Sequence, residues 1–132
     1  MDERERLNNL SRRIIGAAIA VHRQLGPGLL ESAYEACFAY ELTNRGLSIE
    51  CQKPLPLAYG DVLIDCAYRI DVLVEREIVV EVKAVDKINP VHEAQTLLYM
   101  QLARSKLGLL INFNVKWLVA QGIRRFVKGF PD

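Results

Sequence analysis

The sequence has little cysteine, no marked excess of either charge and no long hydrophobic run. Its three cysteines, Cys37, Cys51 and Cys66, form no C-x-x-C pair and are odd in number, which argues against a disulfide framework and against structural zinc. We therefore expect a reduced, cytoplasmic protein in which each cysteine is small filler in the core. The run Ile14–Val21 is far shorter than the ~18 apolar residues of a membrane span, and no apolar signal region follows the charged N-terminus.

The net charge of the chain also gives no indication that it binds nucleic acid. The 17 basic and 16 acidic side chains leave a net charge of +1, so any contact with nucleic acid has to come from local basic patches. Hydrophobic residues make up 51% of the chain and charged residues 25%, which excludes a disordered chain. A length of 132 residues suits one domain, and we expect it to span residues 1–132.

Two helices are predicted before residue 45. Apolar residues recur with helical spacing from about Glu3 to Leu25, and Gly26-Pro27-Gly28 ends that pattern. A second helix is predicted from about Leu29 to Asn44. Both are expected to present one apolar face to the core.

Strands are predicted in the middle of the chain. The extended segment Leu47–Leu57 contains Pro54 and Pro56, which indicates the edge of a sheet. Val62–Val74 predicts one or two strands, and the segment Ile78–Val85, rich in Val and Ile, predicts another. The last two should pair as an antiparallel hairpin.

A strand–helix–strand unit follows. Asn89 is a predicted N-cap and Pro90 the first residue of a helix that runs to about Ser105. Leu107–Phe113 predicts a strand buried on both faces, and Ile123–Val127 a final strand. The crossover makes the strands on either side of the helix parallel. We therefore predict an α/β (mixed α+β) fold in which two N-terminal helices cover a mixed central sheet with a hairpin and a βαβ return.

A cluster of charged residues is predicted on this sheet. Side chains alternate along a strand, so Glu81 and Lys83 share one face of a segment otherwise full of valine. If Glu75-Arg76-Glu77 is a three-residue loop, Asp71 lies opposite Glu81 with Cβ atoms about 5 Å apart. Two carboxylates this close repel each other, and a divalent cation such as Mg²⁺ would remove the repulsion. Lys83 could then support the attacking water or the transition state.

The same spacing also fits a structural ion pair with one bystander. The pattern D-x9-E-x-K is loose, and many hairpins would match it. From the spacing alone, the structural interpretation of Asp71, Glu81 and Lys83 is the better one.

A resemblance to a known family changes this balance. Gly28 to Tyr34 reads G-x-x-E-x-x-Y, and it stands in an ordered set of blocks: LGPGLLESAYE, QKPLPL, YRIDVLVE, VVEVKAV, PVHEAQTLLYM and LGLLINFNV. From about Ile14 to Val127, the chain resembles the GxxExxY protein family within the PD-(D/E)xK nuclease superfamily. The resemblance implies a restriction-endonuclease-like core. It departs from the superfamily pattern in having Ile70, not Pro, before the motif aspartate.

The resemblance also implies the identity of the site residues. Asp71 fills the motif aspartate, Glu81 and Lys83 fill E-x-K, and Glu31 is similar to the acid of the first core helix. Gln95 and Tyr99 resemble a Q-x-x-x-Y element, and their spacing places them on one helix face. The implied catalytic residues are Asp71, Glu81, Lys83, Glu31, Gln95 and Tyr99. Of these, Asp71, Glu81 and Glu31 would hold Mg²⁺ or Mn²⁺.

The function expected on these grounds is a metal-dependent nuclease, with DNA favoured over RNA and a homodimer as one option. Arg69 and Lys87 are the expected phosphate contacts, although either could be an ordinary solvated charge. Two other classes stay open: a non-catalytic binding or regulatory module on the same fold, and a small-molecule acid–base enzyme. No nucleotide loop or nucleophile elbow supports the latter. His22 and His92 are expected to be structural, and Trp117 to lie either in the core or at an interface.

Overall fold

The computed structural model describes residues 1–130, and a five-stranded mixed sheet lies at its centre. The elements are, in chain order, α1 (Glu3–Leu25), α2 (Glu31–Asn44), β1 (Ile49–Pro54), β2 (Leu57–Tyr59), β3 (Val62–Ile64), β4 (Arg69–Val74), β5 (Ile78–Lys83), α3 (Pro90–Ala103), β6 (Leu107–Asn112), a π-helical turn (Leu118–Gly122) and β7 (Ile123–Val127). The predicted fold class is confirmed. The expected domain limits, 1–132, include two residues that lie outside the described part.

The sheet has the strand order β1-β4-β5-β6-β7. β4 and β5 form the predicted antiparallel hairpin around residues 75–77, and β5 and β6 are parallel, as the α3 crossover requires. β1 lies at the edge, where its one proline, Pro54, is tolerated, and Pro56 follows the strand. The segment Val62–Val74 divides into two strands, and the first of them pairs with β2 in a separate two-stranded hairpin.

The register between β4 and β5 agrees with the prediction. Val72 pairs with Val80, Leu73 with Val79 and Val74 with Ile78. One step further along the same register, Asp71 falls opposite Glu81.

The two faces of the sheet are covered by different helices. Val80 and Val82 of β5 belong to the core that includes α1 and α2. Val79, on the opposite face, packs in a smaller cluster with Tyr99 and Met100 of α3. Alternation along β5 therefore directs Glu81 and Lys83 to the α3 side, as the strand pattern predicted.

Capping residues fix where the helices begin. The Asn89 side chain accepts hydrogen bonds from the backbone N–H groups of Val91 and His92, and His92 Nδ1 accepts one from the Asn89 N–H. This capping box confirms the N-cap and gives His92 the expected structural role. α2 begins two residues later than predicted because Gly28 has φ = +100° and Leu30 is extended, so the turn is still unfinished there.

The expectation that the three cysteines are buried was wrong, and of the two places expected for Trp117 the core is excluded. Cys37, Cys51 and Cys66 are all exposed, so none is core filler; each lies on the outward side of its element or in a loop. Trp117 is 61% exposed, whereas Phe113 lies in the core and stacks on Tyr34 with 4.9 Å between ring centroids. Among residues 1–130, no helix combines the length and the hydrophobicity that a bilayer crossing requires.

Candidate active site

The carboxylates of Asp71 and Glu81 meet where the β4–β5 backbone pairing ends. The Asp71 N–H donates to Glu81 Oε2 at 2.9 Å, and the Val82 N–H donates to Asp71 Oδ2 at 2.9 Å. Each carboxylate thus takes the place of a backbone acceptor on the neighbouring strand. This crossed arrangement holds both side chains side by side on the sheet.

Burial makes Glu81 an unusual acid. Its side chain is 2% exposed, and burial raises its pKa to about 8, with the negative charge of Asp71 as the second cause. The charge of Lys83 lowers this pKa, but not enough to restore an ordinary value. Within the described residues, no donor contacts Glu81 Oε1, and no buried side-chain oxygen lacks a partner. That oxygen is therefore open to solvent and available to a ligand.

Glu35 belongs to the same cluster, and the sequence interpretation missed it. Its pKa is raised, mainly by burial, and the charges of Asp71 and Glu31 act in the same direction. Gln52 Nε2 lies 2.6 Å from Glu35 Oε1 and 3.2 Å from Asp71 Oδ1, so one amide connects the two acids. The four-residue spacing from Glu31 to Glu35 places both on one helix face and could have identified it.

Glu31 lies at the periphery of the cluster. It is exposed and is the first residue of α2, and its charge raises the pKa of Glu35, whereas it is not among the causes of the Glu81 shift. The motif tyrosine, Tyr34, is fully buried: its hydroxyl donates to the Gly26 carbonyl at 2.5 Å and accepts from the Leu29 N–H at 3.1 Å. Tyr34 therefore orders the turn that leads into α2.

The bridging residue Gln52 has an unusual backbone conformation. On β1, Cys51 pairs with Val72 and Lys53 with Ile70, so Gln52 lies across from Asp71. Its φ of +52° is rare for a side-chain-bearing residue, and such conformations cluster at functional sites. The irregularity lets an edge-strand side chain reach both acids.

α3 contributes Gln95 and Tyr99, as the helix spacing predicted. Tyr99 is 3% exposed, and its hydroxyl accepts a hydrogen bond from Gln95 Nε2 at 3.0 Å. Burial raises the pKa of Tyr99, and the charge of Glu81 is the next cause, so the phenol lies within electrostatic reach of the acids. Lys83, half-buried at the end of β5, has no carboxylate within 4.0 Å among residues 1–130.

The two expected phosphate contacts differ in availability. Arg69 donates to the Tyr68 carbonyl at 2.9 Å and lies 3.6 Å from Asp65, so its charge is partly satisfied. Lys87 is exposed in the loop between β5 and α3 and makes no ion pair with any described residue. His22, the other histidine, lies 2.7 Å from the Val115 carbonyl and has a structural role.

The donor set suits a hard divalent cation only in part. Across residues 1–130, no three His, Cys, Asp or Glu side chains are placed together as a ready-made metal cage. Asp71 and Glu81 supply two adjacent carboxylates whose mutual repulsion a cation would relieve. Mg²⁺ commonly binds through one or two carboxylates, with waters and phosphate oxygens completing its shell. The pair fits that mode of binding.

Comparison with known proteins gives one match. Residues 8–126 match a family model described as the PD-(D/E)XK nuclease superfamily, which covers most of the chain. No curated protein and no solved structure matches at a significant level.

Proposed function

The chain belongs to the PD-(D/E)XK nuclease superfamily, and from that premise we propose that it is a metal-dependent nuclease that hydrolyses phosphodiester bonds. The observation that carries the proposal is Glu81, whose pKa is raised first by burial and then by the second carboxylate beside it. A fold gains no stability from such a pair, and strongly perturbed acids mark functional sites. The proposal treats residues 1–132 as one nuclease-like domain of the GxxExxY type.

We propose that Asp71 and Glu81 hold Mg²⁺ or Mn²⁺, with Glu31 acting through water. Glu35 joins this set because it is the α2 acid connected to Asp71 through Gln52. A divalent cation bound there would activate the attacking water and neutralise charge on the phosphate.

The chain's own residues would perform the remaining tasks. Lys83 lies near Glu81 and Glu35 but forms no ion pair with any residue of 1–130, so its ammonium group could stabilise negative charge that develops on the phosphate. The Gln95–Tyr99 hydrogen bond orients the phenol toward the same acids. Lys87 and Arg69 would contact the flanking phosphates.

A cleavage panel tests the proposal. DNA and RNA, each as single strand and duplex, are incubated with wild type and Glu81→Gln in Mg²⁺ or Mn²⁺. We expect wild type to cut DNA in preference to RNA and Glu81→Gln to lose at least about 100-fold in rate, as for loss of an electrostatic catalytic group. Asp61→Asn, an acid-to-amide change in the exposed β2–β3 turn, is the matched control and should cut normally. Equal cleavage by wild type and Glu81→Gln would refute the assignment.

A second candidate is a non-catalytic binding or regulatory module on the same fold. It is favoured by the hydrogen bonds that already occupy both oxygens of Asp71 and by the lack of a three-ligand cage among the described residues. Calorimetric titration with Mn²⁺ separates the two. Binding that is lost in Asp71→Ala supports the nuclease, and no binding at millimolar metal supports the module.

We also propose a homodimer and a cytoplasmic location. The β2–β3 hairpin exposes Tyr59, Val62 and Leu63, which supports an interface with a second copy. Sedimentation at micromolar concentration should give twice the chain mass, and a monomer would contradict the dimer. The exposed free cysteines fit a reducing compartment, which microscopy of a tagged chain would check.

A further inference from the structure

The chain's one tryptophan lies in an open groove that none of the candidate active-site residues lines. The groove holds about 620 Å³ between the end of α1 and the π-helical turn, and Trp117, Val119 and Ile19 line it. Trp117 and Val119 are 61% and 63% exposed, which is unusual for such large apolar side chains.

Hydrogen bonds join the segments that form the groove to the turn before α2 and to the end of β5. Its wall includes Gly26 and Pro27, and the next residue, Gly28, donates its N–H to Asn114 Oδ1 at 3.0 Å. The Phe113 N–H donates to the Lys83 carbonyl at 2.9 Å, four residues before Trp117. These hydrogen bonds join the segment that carries Trp117 to both places.

The backbone that carries Trp117 is held firmly although its side chain is exposed. The Trp117 N–H donates to Gln121 Oε1 at 2.9 Å, and the Gln121 N–H donates to the Trp117 carbonyl at 2.9 Å. The π-helical turn ends at Gly122, where a Cβ would collide with the Asn112 carbonyl oxygen, so the turn packs directly against β6. A π-helical turn is rare and occurs frequently at functional sites.

The charge around the groove is of one sign. Arg23 and Lys116 line it, no acidic residue does, and neither cation forms an ion pair with any residue in the described range 1–130. Lys116 Nζ lies 5.3 Å from the centre of the Trp117 ring. An exposed aromatic ring that shares a groove with two cations suits a strand whose bases stack and whose phosphates are anionic.

We propose that Trp117 is a stacking platform for an unpaired base of a nucleic-acid strand, with Arg23 and Lys116 on its flanking phosphates. This inference rests on the proposed function for the identity of the ligand, and it adds that the substrate includes an unpaired base. Duplex DNA does not satisfy the site, because its bases are stacked on each other and do not offer a free face.

Fluorescence of the single tryptophan tests the platform directly. The intact chain is titrated in EDTA, which prevents cleavage, with a single-stranded oligonucleotide and with a blunt duplex of the same sequence. We expect the single strand to quench Trp117 emission and the duplex to leave it nearly unchanged. Quenching by both equally, or by neither, would overturn the proposal.

Binding of a labelled oligonucleotide, measured by anisotropy, gives the second readout. Trp117→Ala should weaken binding of the single strand about 5- to 100-fold, the range found for one stacked base, and Trp117→Phe should restore most of it. Tyr40→Ala is the matched control, since Tyr40 is 71% exposed on α2 and outside the groove. Circular dichroism checks that each variant is folded, and the Phe variant keeps the test decisive if the Ala variant is not.

The outcomes separate this inference from the proposed function. Cleavage without any effect of Trp117→Ala on binding would refute the platform and leave the nuclease intact. Quenching and a binding defect without cleavage would refute the nuclease and leave a single-strand binding site. If Trp117→Ala instead abolishes self-association and leaves oligonucleotide affinity unchanged, the groove is a protein interface and the platform is wrong.

Discussion

The carboxyl group of Glu81 is 2% exposed and lies beside that of Asp71, so its ionised form is unfavourable in the folded chain. The same side chain accepts only one hydrogen bond from the described residues, from the Asp71 N–H. Catalytic sites commonly carry such a stability cost, which is recovered when a ligand binds. The cost can be measured through its dependence on pH.

Glu81 predicts that the metal-free protein is less stable at high pH. Its pKa is raised from 4.5 to about 8 in the folded state, first by burial and then by Asp71. Folding therefore favours the protonated carboxyl group. Its contribution to the free energy of unfolding is complete below about pH 4.5 and is lost as the pH rises through 8. In EDTA, Glu81→Gln should remove most of this pH dependence and raise the free energy of unfolding at pH 8.5 by a few kcal/mol, roughly.

Urea unfolding of wild type and Glu81→Gln at pH 5 and pH 8.5 gives the comparison. Asp61→Asn, the exposed control, should keep the wild-type pH profile. A Glu81→Gln variant that is less stable than wild type at pH 8.5 would show that the buried carboxylate stabilises the fold, contrary to this argument.

Glu35 and Glu31 give a second prediction at the residue scale. Gln52 connects Glu35 to Asp71, whereas the charge of Glu31 raises the pKa of Glu35 and is not a cause of the Glu81 shift, so the amide variant of Glu35 should weaken Mn²⁺ binding more. We expect about tenfold or more for Glu35→Gln, the usual effect of losing a supporting ligand, and a smaller change for Glu31→Gln. Calorimetry at pH 8 measures both. A larger loss of Mn²⁺ affinity for Glu31→Gln than for Glu35→Gln would show that Glu31, and not Glu35, supports the metal.

At the scale of elements, local sequence patterns predicted most of what was found. α1 and β7 have the predicted bounds, and Asn89-Pro90 marked the start of α3, because capping and strand patterns act over a few residues. The assumption of a three-residue loop at 75–77 predicted the observed β4–β5 register, although the loop has no glycine that would have fixed it from sequence.

Other features could not be predicted because their causes are not local. Gln52 adopts φ = +52° although neither glycine nor asparagine stands there, and it does so where β1, β4 and α2 converge. The π-helical turn depends on Gly122 approaching the end of β6, a contact between segments ten residues apart. The spacing from Glu31 could have pointed to Glu35, but no motif marks the Gln52 side chain that connects Glu35 to Asp71.

The motif tyrosine gives a prediction for the α1–α2 turn. Tyr34→Phe removes a hydroxyl that bonds the Gly26 carbonyl and the Leu29 N–H but keeps the ring stacked on Phe113. Loss of these bonds should lower the free energy of unfolding by about 1–3 kcal/mol. Tyr40→Phe, on the exposed face of α2, should change it by less than about 0.5 kcal/mol. Thermal and urea unfolding compare both variants with wild type. A Tyr34→Phe variant as stable as wild type would contradict the structural role assigned to the Tyr34 hydroxyl.

At the scale of the whole molecule, the near-neutral net charge hides an uneven distribution. Several cations are already paired: Lys106 with Glu3 at 2.6 Å and Arg124 with Glu93 at 3.9 Å. Among the cations that make no ion pair within residues 1–130, Arg23 and Lys116 line the Trp117 groove, Lys83 lies at the end of β5, and Lys87 lies in the loop that follows. Phosphate contacts should therefore be few.

This distribution predicts a shallow salt dependence of oligonucleotide binding. Four phosphate contacts with a single strand correspond to a slope of log affinity against log salt of about −3, since each contact contributes roughly −0.7. Lys116→Gln should reduce the slope to about −2, whereas Lys128→Gln, which lies away from the groove lining, should leave it unchanged. Anisotropy titrations between low and moderate potassium chloride measure it. A slope twice as steep would mean that a second copy of the chain contributes its own cations, and a slope near zero would exclude phosphate contacts altogether.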